Sequence, residues 1–214
     1  MRKKLGFSLS LFLASVLICL TFTGSVLAET EPDPEKFIQS LAQQAISAVA
    51  DHQISETERA QRFHDLFVSN FDVPEIGRYV LARYWSGPAG ATVEQQQTFL
   101  KLFESIEVLK WARRFKRYQG EMLESLGSNK DREREWLVQS QIVRNPAPPI
   151  PVEWRVHQSA DGSFRIIDIK SEGASMRLTL RQDYNAVLQA EGGRIESLLD
   201  KLRGTLEHLK AEGE

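Results

Sequence analysis

The chain has 214 residues, 27 lysines and arginines against 29 aspartates and glutamates, and a formal net charge of −2. That balance disfavours a general nucleic-acid binder, and a single cysteine excludes an internal disulfide framework and a thiolate metal cluster. No internal repeat or low-complexity tract is visible, and one domain of this size buries a sizeable core.

Residues 1–28 read as a secretory signal peptide. Arg2, Lys3 and Lys4 precede an apolar run from Leu5 to Phe22, and Val26-Leu27-Ala28 places small residues at the minus-three and minus-one positions. Cleavage after Ala28 is expected, which leaves residues 29–214 as a single domain in a compartment such as a bacterial periplasm. The alternative is an uncleaved anchor, for which the apolar run is barely long enough. Cys19 follows Ile18 where a lipoprotein site requires a small residue, so lipid attachment is not expected. Cleavage would remove the cysteine and three basic residues, leaving a more acidic chain held by packing alone.

The first half has helical periodicity. Phe37, Leu41, Ala45 and Val49 recur every four residues, and the capping box Ser55-Glu56-Thr57-Glu58 opens a helix with Phe63, Leu66 and Phe67 on its apolar face. Asp72 caps the next, and Pro74 is tolerated in its first turn, so VPEIGRYVLARYW predicts a helix to about Trp85, ended by SGPAGA. Thr92 and Gln95 form a third box. It starts a long helix with Phe99, Leu102, Phe103 and Ile106 on one side and a basic tail from Lys110 to Arg117.

The second half alternates instead. EWLVQSQIV (135–143) places Trp136, Val138 and Ile142 on one strand face, and PVEWRV places Val152, Trp154 and Val156 on another, with NPAPPIP between them. A hairpin turn at Asp161-Gly162 leads to FRIIDI, apolar on both faces as in a strand covered from two sides. A fourth strand is expected near GEMLESL. After Gly173 the spacing of Met176, Leu180, Tyr184, Val187 and Leu188 predicts a helix with Ser175 near its start, whereas a strand reading fits only Met176, Leu178 and Leu180. A last amphipathic helix carries Ile195, Leu198, Leu199, Leu202, Leu206 and Leu209. The fold class that follows is α+β, helices packed on a curved, mainly antiparallel four-stranded sheet.

Catalytic chemistry is hard to find. The four histidines are widely spaced without an HExxH pattern, so no metal is expected. Gly173-Ala174-Ser175 lacks the second glycine of a nucleophile elbow, and Ser175 reads better as a helix cap. Asp168 and Glu172 could act as acid and base only if both faced one pocket. The basic run holding Arg113, Arg114 and Arg117 is either favourable charge at a helix C-terminus or a docking surface for an acidic membrane or partner. Tyr79, Tyr84, Trp85, Phe99, Phe103, Trp136 and Trp154 supply either a solid core or the lining of a hollow one.

FDVPEIGRYVLARYW, TVEQQQTFLKLFESI, RYQGEML, VEWRV, FRIIDIKSEGASM and RQDY, in that order, resemble the MlaC family of periplasmic phospholipid carriers, also called toluene-tolerance auxiliary proteins. The likeness runs from about Phe37 to Arg203. Trp85, Gly120, Glu121, Arg155, Asp168, Gly173, Ser175 and Arg181 match family positions, while Ala82 stands where glycine is usual and Phe164 where tryptophan is usual. The resemblance implies a carrier with no enzymatic activity and no cofactor. Its ligand would be a phospholipid, or a hopanoid as in a related branch, and its partners an outer-membrane lipoprotein complex and an inner-membrane ABC permease complex. An apolar pocket between helices and sheet would then be lined by Trp136, Val138, Ile142, Val152, Trp154, Val156, Ile167 and Ile169 from the strands, with Ile76, Val80 and Phe103 from the helices. A periplasmic interaction module with a solid core is the alternative of another class.

Overall fold

The computed structural model describes residues 33–49, 53–88 and 90–212; the expected signal peptide, Cys19 included, lies outside them. Among the described residues, five of the six α-helices start at a side-chain cap, and the last has none. Asp33 accepts the Lys36 N–H at 2.9 Å ahead of α1 (Pro34–Val49), and Ser55 accepts the Glu58 N–H at 3.1 Å ahead of α2 (Glu56–Asn70). Asp72 accepts the Glu75 N–H at 2.9 Å ahead of α3 (Val73–Leu81). Thr92 and Gln95 exchange both bonds of a capping box, at 3.2 and 3.1 Å, ahead of α4 (Val93–Phe115). Ser175 opens α5 (Met176–Ala190), and α6 (Ile195–Ala211) closes the chain.

Two helical details depart from the sequence pattern. The third helix does not run to Trp85. Ala82 takes φ 49° and ψ −118°, which breaks the helix, and the chain continues as a 3₁₀ turn over Ala82–Tyr84. In α1 the buried stripe is Ile38, Leu41 and Ala45, with Phe37 turned half outward toward the sheet.

The strands are β1 (Met122–Arg132), β2 (Glu135–Val143), β3 (Ile150–Gln158), β4 (Phe164–Ser171) and β5 (Ala174–Ser175). They form one antiparallel meander in the order β1-β2-β3-β4-β5. The expected fourth strand, β1, continues beyond Leu126 through Gly-Ser-Asn-Lys-Asp-Arg, a stretch with no apolar alternation that is strand because β2 pairs with it. The two-residue β5 is an addition. Glu172 and Gly173 have φ 49° and 86°, the pair of positive values that a type I′ turn requires, and they fold Ala174 back against Ser171 just before α5 begins.

Along the edge of β4 beyond the short β5, Phe71 bridges to Ile166 and the Asp72 N–H donates to the Ile166 carbonyl at 3.0 Å, so the α2–α3 junction is tied to β4. α4 is the central helix and packs against α2, α3 and α6, while α1 lies across β1 and β2. The core sits between this helical layer and one face of the sheet.

Candidate functional site

One face of the sheet is a hydrocarbon wall. Trp136 lies opposite Val156, Val138 opposite Trp154, and Ile142 opposite Ile150 across β2 and β3. β4 adds Ile169 opposite Trp154. The register between β3 and β4 then slips: Arg155 pairs with Asp168, but Val156 pairs with Ile166, so Ile167 is the extra residue of a bulge. Regular alternation from Ile169 assigns Ile167 to the wall. The bulge corrects this, placing fully buried Ile166 beside Val156, while Ile167 is buried outside the main apolar cluster.

Ser140 lies in the middle of the wall, only 2% exposed. Its Oγ accepts the indole N–H of Trp154 at 2.8 Å and donates to the Val152 carbonyl at 3.1 Å. The polar atoms of Ser140 and Trp154 thus satisfy each other and the backbone, and the surface they leave is apolar.

The helices supply the opposing side. Ile76 and Val80 of α3 and Phe103 of α4 are buried in the same cluster as Val138, Val152, Val156 and Ile169, with Ile142 and Trp154 packed against it, while Trp136 and Ile167 lie outside that cluster. Ile142 and Trp154 are half-buried at its margin, and Trp136, also half-buried, extends that margin through its contact with Phe164. α1 is fastened over this margin: Glu35 accepts the hydroxyls of Ser125 and Ser128 at 2.9 and 3.0 Å. Phe37 meets Phe164 at 5.8 Å between ring centroids, and Phe164 meets Trp136 edge-on at 5.4 Å. Phe37, Phe164 and Ile166 belong to or pack on the same apolar cluster, and the sequence reading did not include them in the expected lining. Phe164 and Ile166 share a face by simple alternation, but nothing in the sequence announces the bulge that brings that face round to Val156.

The expected docking arginines separate. Arg113 is a clamp rather than a free cation: Nε donates to Glu56 at 2.9 Å, Nη1 to Glu212 at 2.8 Å, and Nη2 to the Leu209 carbonyl. The hydrogen bond to Glu56, helped by Glu212 and opposed by burial, holds its pKa above the ordinary arginine value. It joins the end of α4 to the start of α2 and the end of α6. Arg114 remains exposed, lying over the Trp111 ring at 4.8 Å, and Arg117 is exposed.

The carboxylate pair also separates. Asp168 accepts the Ser175 hydroxyl at 2.6 Å and the Arg177 backbone N–H at 3.0 Å, with Arg177 Nε at 3.5 Å, and so anchors the first turn of α5. Glu172 occupies the exposed turn before it. Two clefts open away from the wall. One, of about 490 Å³, lies between the end of α3 and α5; the other, of about 350 Å³, is a charged groove that includes Tyr79, Glu153, Arg155, Lys170 and Arg177 on the opposite sheet face.

A five-stranded antiparallel meander with one apolar face roofed by helices defines the protein as α+β. The chain belongs to the MlaC family, described as MlaC protein, whose pattern matches residues 39–204. Among solved structures, it resembles a phospholipid-binding protein from Ralstonia solanacearum, determined in complex with a phospholipid. The TM-score is 0.69 at 20% identity, over 80% of this chain and 98% of that one. The likeness establishes the shared fold. Comparison with curated proteins gives no match. Among the described residues, no helix is long and apolar enough to cross a membrane.

Proposed function

We propose that the chain is a lipid carrier, not an enzyme. It takes up a phospholipid with the acyl chains against the β2–β4 wall and the headgroup outward. It then carries the lipid through the periplasm between an outer-membrane lipoprotein complex and an inner-membrane ABC permease complex, and so maintains outer-membrane lipid asymmetry. The observation that carries this reading is the wall itself: three adjacent strands contribute one apolar face, and its only buried hydroxyl is internally bonded, among the described residues.

The energetics demand such a face. Two acyl chains of about 30 methylenes cost on the order of 25 kcal/mol to expose to water at ~0.8 kcal/mol each, so a carrier must cover nearly all of them. It must also bind them about as well as a bilayer does, or the cargo is never released. The half-buried Trp136, Ile142 and Trp154 are the part of the wall that solvent, and so an entering acyl chain, reaches. Arg114 and Arg117, exposed and without ion pairs among the described residues, are the cations that remain for docking to an acidic surface.

Mass spectrometry of an organic extract of the purified protein is the direct test. Roughly one phospholipid per chain is expected, and a hopanoid would be distinguished by mass in the same spectrum. Absence of any stoichiometric lipid would identify a solid-core interaction module instead. Ile142→Glu sharpens the test, because a half-buried site lets the carboxylate reach water: copurified lipid should fall while the circular dichroism spectrum is retained.

A further inference from the structure

The cleft between α3 and α5 is distinct from the wall and from the end of α4. Along α5, Leu178, Gln182, Ala186 and Gln189 are exposed at helical spacing and form one bank, a stripe of about 16 Å at ~1.5 Å per residue. Ala82 and Arg83, where α3 breaks, form the other. The banks are held at fixed separation by Asn185, whose side-chain amide donates to the Val80 carbonyl at 3.1 Å and to the Arg181 carbonyl at 2.6 Å.

The lining has one sign of charge. Arg83 and Arg181 contribute guanidinium groups and no carboxylate lines the cleft, although the chain as a whole carries a net −2. Arg181 sits 5.2 Å from the Tyr79 ring centroid, on the same ring that holds Arg177 at 4.2 Å. Arg177 is compensated by Asp168 at 3.5 Å, whereas Arg181 makes no ion pair among the described residues. Tyr79 therefore stacks against two cations, of which Arg177 alone has an ion-pair partner among the described residues. Leu178, 45% exposed, adds an apolar surface at one end.

We propose that this cleft docks an acidic amphipathic helix of a protein partner, about three turns long. Its carboxylates pair with Arg83 and Arg181, and one aliphatic side chain covers Leu178. A peptide fits better than a membrane surface because the charges lie along a recess with two banks, which a flat array of headgroups cannot enter. The docking reading is independent of the lipid reading, since the cleft and the wall share no residue.

The test uses the purified chain and a fluorescein-labelled helical peptide of Glu, Leu and Ala, with a second peptide carrying Gln for Glu, read by fluorescence anisotropy. The Glu peptide should bind, and the double variant Arg83→Gln/Arg181→Gln should weaken it about tenfold, as should the Gln peptide with the unaltered protein. The control variant Arg114→Gln/Arg117→Gln should bind as the parent does. Copurified lipid, measured in parallel, should not change in the Arg83/Arg181 variant, which separates failure here from failure of the carrier reading. Absence of binding, equal binding of both peptides, or full binding by the double variant overturns the proposal. If the double variant instead loses affinity for phosphatidylglycerol vesicles and keeps it for the Glu peptide, the cleft is a membrane contact and the proposal is wrong.

Discussion

Replacing Ala82 with glycine should stabilise the protein, against the usual sign of that substitution near a helix. Ala82 holds φ 49° and ψ −118°, a conformation in which a Cβ is crowded by the backbone. Such residues carry about 1–3 kcal/mol of strain. Glycine removes it but gives the unfolded chain more freedom, at a cost of about 0.4–1 kcal/mol, and the half-buried methyl contributes little packing. The balance is about 1 kcal/mol in favour of Ala82→Gly, or roughly 2–4 °C in melting temperature for a domain of this size. Urea denaturation should show a higher midpoint at an unchanged slope. Had the helix continued to Trp85, Ala82 would be an ordinary interior position and glycine would cost about 1 kcal/mol. A lowered midpoint would therefore refute both the strain argument and the break in α3.

Gly77→Ala should act in the opposite direction, because an added Cβ would stand 2.5 Å from Leu100 Cδ2 and 3.3 Å from Phe99 Cε1 where α3 meets α4. A loss of about 1–2 kcal/mol in urea denaturation is expected despite the better helix propensity of alanine, and a gain would mean that α4 yields easily. Asp168→Ala removes the acceptor of the Ser175 hydroxyl and the Arg177 N–H and leaves Arg177 without its anion, at a cost of about 3 kcal/mol. Faster amide exchange confined to the first turn of α5 would locate the effect; unchanged exchange there would contradict the anchor role. For His64, burial opposes the charged form, but hydrogen bonds to Asp65 and Glu104 outweigh it and raise the pKa above the ordinary histidine value. The stabilisation is complete below the ordinary value and is lost as pH rises through the raised one. His64→Gln should therefore flatten the fall in stability through neutral pH and above, and identical pH slopes for the two proteins would rule the contribution out.

The sequence by itself determined the features decided within a few residues. Ser55, Asp72, Thr92 and Ser175 cap helices because donor and acceptor are three positions apart, and alternation assigned Trp136, Val138 and Ile142 to one face of β2 and Val152, Trp154 and Val156 to one face of β3 because a strand repeats every two residues. Tertiary structure decided what depends on a distant partner. Ile166 replaced Ile167 in the wall through the register of β3 against β4, and β1 extended through polar residues because β2 was there to pair with them. Arg113 looked like one cation in an unrelieved basic run until chain packing brought Glu56 and Glu212 to it from 57 and 99 residues away. The cleft beside α5 likewise exists only because the helix break at Ala82 and the bonds of Asn185 set two banks that lie far apart in the chain. Local backbone chemistry is encoded in neighbouring residues, whereas register, ion pairing and concavity are properties of surfaces that meet only once the chain has folded.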